Sequence, residues 1–259
     1  MRKARQLPKT TGALLGVFIR YRSTIDGAPC IAVINRARAN RKIAKRGEIA
    51  LQVWYLRADQ SPVQASKAGV DASICGACPR RHSLEGDCYV TIFRAPYSVY
   101  SAFERGRYSE IKRSKPTKAQ LGFLRSANYL RLGSYGDPLS APLSVSYRIF
   151  TYTGLYGSHT GYTHLWRQAK PDARFFLMAS VDTRAEQQEA RLLGWSSFLA
   201  TDKVAKGAIH CPAQRTNGKI SCSVCLACDG ARDRQREIEI VEHGQLSTTK
   251  HKRAANFAA

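Results

Sequence analysis

Apolar residues fall in short runs along this chain, and helical segments between several of them end at a glycine. The run Cys30-Ile31-Ala32-Val33-Ile34 predicts a strand, and Ile49 to Leu56, rich in β-branched and aromatic residues, predicts another. Pro62 to Gly69 and Val99 to Gly106 have the composition of short helices stopped by glycine. Tyr129 to Gly133 predicts a buried strand that runs into the turn Ser134-Tyr135-Gly136-Asp137-Pro138. Nearer the end, Arg174 to Val181 predicts a strand, Asp182 or Thr183 can cap a helix from Arg184 to Leu193, and Trp195 to Ala200 predicts the next strand. Strand, helix and strand in 27 residues imply a parallel sheet, hence an α/β fold. Sites in such sheets gather at the carboxyl ends of the strands, where the turn from Gly133 to Pro138 falls. Arg232 to Val241 is charged and predicts a helix.

Length and charge narrow the class. With 259 residues, 44% of them hydrophobic, the chain can bury a substantial core, and it divides into three stretches. Residues 1–47 form a basic strand and loop region with Arg36, Arg38, Arg41, Lys42, Lys45 and Arg46. Residues 48–205 form the α/β core, and residues 206–259 hold a cysteine group, the charged segment and a basic tail. Lys112 to Lys118 predicts a basic linker. No apolar run approaches the roughly 18 residues of a membrane span, and the start Met1-Arg2-Lys3-Ala4-Arg5 lacks a signal peptide's apolar stretch. The expectation is a cytoplasmic protein with no membrane partner. Forty-one Lys and Arg against 19 Asp and Glu give a formal charge of +22, which favours nucleic acid, DNA or RNA, as a partner.

Cysteine spacing adds chemistry. Cys75, Cys78 and Cys88 lie within fourteen residues, with His82 among them. With His82 as fourth ligand the set is a closed Cys3His zinc site; without it, three thiolates can hold three irons of a [4Fe–4S] cluster and leave the fourth open. Both metals accept thiolate, and spacing leaves both open. Cys211, Cys222, Cys225 and Cys228 supply a second, complete shell for zinc or a saturated cluster, with His210 beside it, while Cys30 stands alone as a small buried residue. In a reducing compartment such grouped thiols are metal ligands before disulfides.

Other candidates are sparser. Asp137, after a glycine and before a proline at a strand end, can accept hydrogen bonds from an ammonium group or a ribose, or simply cap the turn. His159 and His164 are five apart, off both the strand and the helix period, so the histidine pair of a rolling-circle nickase is missing although Tyr152, Tyr156 and Tyr162 are near in sequence. No phosphate-binding Gly-x4-Gly-Lys-Ser/Thr loop and no Gly-x-Ser-x-Gly elbow occurs.

Three of these features together resemble the radical S-adenosylmethionine enzymes: a three-cysteine loop whose last cysteine precedes an aromatic, Cys88-Tyr89; a later strand ending in Gly136-Asp137-Pro138, similar to that family's Gly-Glu-Pro-type turn; and a terminal cysteine group like its auxiliary clusters. The sequence also resembles cysteine-rich proteins carried by bacteriophages, which implies a bacterial host cytoplasm. The loop here is Cys-x2-Cys-x9-Cys where the family usually has Cys-x3-Cys-x2-Cys. The resemblance implies a partial (β/α) barrel with a cysteine-rich C-terminal metal-binding extension. It implies a [4Fe–4S] cluster on Cys75, Cys78 and Cys88, and S-adenosylmethionine held near Tyr89, Gly133, Gly136 and Asp137, with Asp137 beside the methionine amino group. The activity implied is cofactor cleavage to a radical that abstracts hydrogen, here from a nucleic acid or nucleotide. The alternative is a non-catalytic nucleic-acid-binding protein with two structural zinc ions, such as a replication or packaging accessory.

Overall fold

The computed structural model describes residues 14–37, 43, 47–112, 115–231 and 234–242. The expected basic loop residues Arg38, Arg41, Lys42, Lys45 and Arg46 and the basic tail lie outside these residues.

Strand β1 (Gly16–Arg22) hairpins onto β2 (Pro29–Arg36), and β2 pairs antiparallel with β3 (Ala50–Arg57). Helix α1 (Pro62–Lys67) follows, opened by a capping box in which the Ser61 hydroxyl accepts from Gln64 N and the Gln64 side chain accepts from Ser61 N. The short α2 (Ala72–Cys75) ends on the first cysteine. Beyond the cysteine loop come α3 (Ala95–Glu104), β4 (Ser109–Glu110) and α4 (Lys118–Arg125), then β5 (Tyr129–Tyr135) and α5 (Leu143–Thr153). Two-residue strands β6 (His159–Thr160) and β7 (Tyr162–Thr163) precede β8 (Met178–Val181), α6 (Arg184–Leu192) and β9 (Ser197–Thr201). The chain continues through β10 (Ile209–His210), α7 (Pro212–Arg215) and α8 (Cys222–Cys225) to β11 (Glu237–Val241).

These strands form two sheets, ordered β4-β1-β2-β3-β5-β6 and β10-β11-β9-β8-β7. Every pairing from β3 onward is parallel, so the mixed α/β class and parallel sheet read from the sequence are correct. Only Gly161 separates β6 from β7, so one segment lies on the edge of both sheets. A Cβ at Gly161 would stand 2.6 Å from the end of the Leu177 side chain, so any larger residue there would have to push that leucine aside. Strands β1 and β2, from the basic N-terminal stretch, share the first sheet with β3 and β5.

Side-chain alternation divides the parallel strands between two surroundings. Leu51, Leu130, Leu132, Ala179, Val181 and Leu199 join the main core, with Ile149 and Phe150 of α5 and Leu124 of α4. Residues of opposite parity, Ala50, Tyr129, Tyr162, Met178, Phe198 and Ile238, pack instead with Cys211, Cys222 and Cys228 of the C-terminal segment. The cysteine-rich segment thus covers one face, near the amino ends of the strands, since Ala50, Tyr129, Tyr162 and Met178 each begin theirs.

Three segments differ from the sequence expectation. The stretch expected as a charged helix to Val241 is strand β11, because Ile238 and Ile240 alternate with Glu237 and Glu239 at the strand period. Part of the expected linker is the start of α4, whose Thr117-x-x-Gln120 capping box lay unnoticed among the lysines. The strand expected from Arg174 begins only at Met178, after a 3-10 turn over Pro171–Phe175.

Candidate metal and cofactor site

The loop bearing Cys75, Cys78 and Cys88 crowns the carboxyl ends of the parallel strands. Its position is set by a backbone bond, Asp137 N donating to Ile74 O at 2.6 Å, which ties the turn after β5 to the helix that delivers Cys75. Four charged contacts complete the anchorage. Arg80 reaches Asp182, just past β8, at 2.6 Å, Asp87 at 3.3 Å, and Glu242, just past β11, at 3.5 Å. Arg81 meets the buried Asp71 at 2.9 Å, and Asp71 also accepts from Ser83. Arg80 and Arg81 carry no motif of their own in the sequence; two cations between metal-spaced cysteines were the one signal of a pinned loop.

The three thiols lie within electrostatic reach of one another. Burial raises the Cys75 thiol well above the ordinary value, and Cys78 and Cys88 add to the rise; burial likewise pushes Cys78 up to about 12 and raises Cys88. Each is therefore held as a neutral thiol unless a cation stabilises the thiolate. Among the described residues, no group of three or more His, Cys, Asp and Glu side chains converges as the shell of a metal ion.

His82 turns its Nε2 to the carbonyl of Val90 at 2.8 Å, which leaves Nδ1 as the atom open to a ligand. Tyr89, largely exposed, accepts a hydrogen bond from Arg131 Nη2 on β5 at 2.7 Å.

Asp137 is buried at the end of β5. Its Oδ1 accepts from Leu139 N at 2.9 Å and Thr163 Oγ1 at 2.8 Å, and its Oδ2 from His164 N at 2.8 Å. Burial raises its carboxyl above the usual range against these three hydrogen bonds and the nearby His164. Three of about four lone-pair positions are filled, so the carboxylate clasps its own turn to the end of β7 and keeps one position to offer. Gly133 and Gly136 both have positive φ, and a Cβ on Gly136 would stand 2.5 Å from the Tyr55 carbonyl oxygen of β3. The second glycine brings the turn against its neighbouring strand.

Cys211, Cys222, Cys225 and Cys228 gather near the other end of the sheet. Burial raises Cys222 and Cys228, and both feel the other thiols of the group. Cys211 caps α7, Cys222 and Cys225 bound α8, and Gly161 N donates to Cys228 O at 3.3 Å. His210 turns Nε2 to Gln214. Cys30 is buried within β2, its thiol raised by burial to about 12, as expected of a core residue.

His159 lies in the core, with Gly157 N donating to its Nδ1 and Nε2 meeting the Phe176 carbonyl. Both ring nitrogens are engaged, so the pair His159 and His164 offers no cation site of the nickase kind. No family model, no curated protein and no solved structure matches this chain.

Proposed function

We propose that the chain is an iron–sulfur enzyme of radical S-adenosylmethionine type acting on a nucleic acid or a nucleotide. The observation that carries this reading is the bond from Asp137 N to Ile74 O, which ties the helix delivering Cys75, first of three half-buried thiols, to the turn at the end of a parallel strand. Open parallel sheets assemble ligands at this end. The parallel order running through residues 159–163 into the second sheet is what a partial (β/α) barrel requires, and we read the fold so.

Three thiols are the number a [4Fe–4S] cluster with one open iron needs, and the loop that carries them is held by Arg80 and Arg81. When bound and reduced, such a cluster would pass one electron to S-adenosylmethionine, whose sulfonium–carbon bond breaks to give methionine and a 5′-deoxyadenosyl radical that takes hydrogen from substrate. The chain's own residues prepare this place. Arg80 balances carboxylates around the loop, Gly136 lets the backbone approach β3, and Asp137 holds the turn with its last acceptor position directed to a cofactor ammonium group. Tyr89 stands next to Cys88 with its ring in solvent, where a nucleobase can stack. The second cysteine group, with four thiols, fills a shell and serves as an auxiliary or structural centre. The formal charge of +22 supplies phosphate affinity.

A second reading has its own observation. His82 Nε2 on the Val90 carbonyl is the outer bond that zinc-binding histidines make, so Cys75, Cys78, Cys88 and His82 Nδ1 would form a structural zinc site in a nucleic-acid-binding protein. Protein purified without oxygen separates the two. The enzyme reading expects broad visible absorbance that Cys75→Ala diminishes and His82→Ala leaves intact. A colourless protein whose zinc content falls with His82→Ala supports the second reading instead.

A further inference from the structure

Arg131 is the third residue of β5, on the strand face that also carries Tyr129. A guanidinium has five N–H donors. Its hydrogen bond from Nη2 to the Tyr89 hydroxyl is matched by none from Nε, which is sealed from solvent with no partner. Among the described residues it pairs with no carboxylate. The groups that act most strongly on it are hydroxyls and a thiol: Tyr89, Tyr162, Tyr129 and Cys222. Every other well-buried arginine fork in the loop and sheet has its acid: Arg57 has Asp59, Arg80 has Asp182, Arg81 has Asp71, and Arg236 has Asp229. A cation taken into the fold without an anion carries an unreturned desolvation cost, and a sealed N–H adds to it.

We propose that Arg131 and the Tyr89 hydroxyl bind the phosphate of a nucleotide, with the exposed ring of Tyr89 available to stack on the base. The planar fork matches a phosphate in two-point contact, which a lysine does not reproduce. Tyr89 is 70% exposed, directly after Cys88. Base stacking on such a ring is tolerant of sequence. The site deepens the proposed function by naming a phosphate-bearing substrate and rests on that reading for its catalytic meaning, but phosphate binding itself does not require iron.

The test uses the full chain, its iron and zinc content recorded, titrated in a calorimeter with adenosine 5′-monophosphate, inorganic phosphate and adenosine. The monophosphate and inorganic phosphate should bind. Arg131→Gln should weaken both by about tenfold or more and Arg131→Lys by a smaller factor, with little change for adenosine. Arg20→Gln, at an exposed arginine on β1, is the control and should change nothing. Equal phosphate affinity in Arg131→Lys and the parent overturns the site, and this variant keeps the charge should Arg131→Gln fail to fold. Loss of metal in Arg131→Gln with phosphate binding unchanged also overturns it, assigning the arginine to the thiolates of the second cysteine group. Phosphate binding that depends on Arg131 in a protein devoid of iron upholds the site and removes the enzyme reading.

Discussion

Asp137 and Gly136 bear the most local constraint. Asp137 accepts three hydrogen bonds, and in Asp137→Asn an amide N–H must face one of those donors. The substitution should destabilise the fold by about 1–3 kcal/mol at neutral pH, read from denaturant midpoints. Its pH dependence has a definite sign. The folded carboxyl holds its proton to a higher pH than the unfolded one, so its stabilising contribution is complete below the unfolded value. It is lost as pH rises through the folded value. Asp137→Asn should flatten that part of the stability profile, and an unchanged slope would mean that the carboxyl is not buried as described. Gly136→Ala meets both a positive φ and the Tyr55 carbonyl. A cost of about 2 kcal/mol or more is expected, visible as a lower Tm, and no loss would contradict the close approach of turn and strand.

The cysteine loop is governed at the scale of elements. It has little regular structure, a 3-10 turn over His82–Leu84 between α2 and α3, and is fixed to the strand ends by side chains. Arg80→Gln removes the cation shared by Asp182, Asp87 and Glu242, leaving three carboxylates near the thiols. Metal bound per chain should fall while the far-ultraviolet circular dichroism remains that of the parent, and undiminished metal would show that the loop holds without its ion pairs. The elements that carry this loop were mostly legible in the sequence. Strands β2, β3, β5 and β9 and helices α1 and α6 announce themselves by apolar runs, caps and glycine stops. Helix α5 was missed, since Leu143–Thr153 offers neither a side-chain cap nor an acidic first turn. Strand β11 was misread because its two isoleucines sit among charges that a helix surface would also carry. The partners of Arg80 lie up to 162 positions away, a separation at which nothing in local pattern joins an arginine to its acid.

For the whole molecule, the two cysteine groups stand at opposite ends of the parallel strands, one among Asp137, Asp182 and Glu242, the other among Tyr129, Met178 and Ile238. Spacing alone foretold two groups of thiols but not their separation, which comes from the chain running back to the amino ends of the strands before it enters β11. The sequence places the turn after β5 at the carboxyl end of a strand, where ligands gather; that it bonds to the helix delivering Cys75 is visible only in the structure. The burial of the thiols raises their proton affinity, so any metal they take up would release protons and bind more strongly as pH rises. The central claim is that the first group carries iron rather than a closed zinc site. Elemental analysis of protein prepared without oxygen tests it most directly: the account predicts iron in several atoms per chain, reduced in amount by Cys75→Ala, whereas stoichiometric zinc with no iron would contradict it.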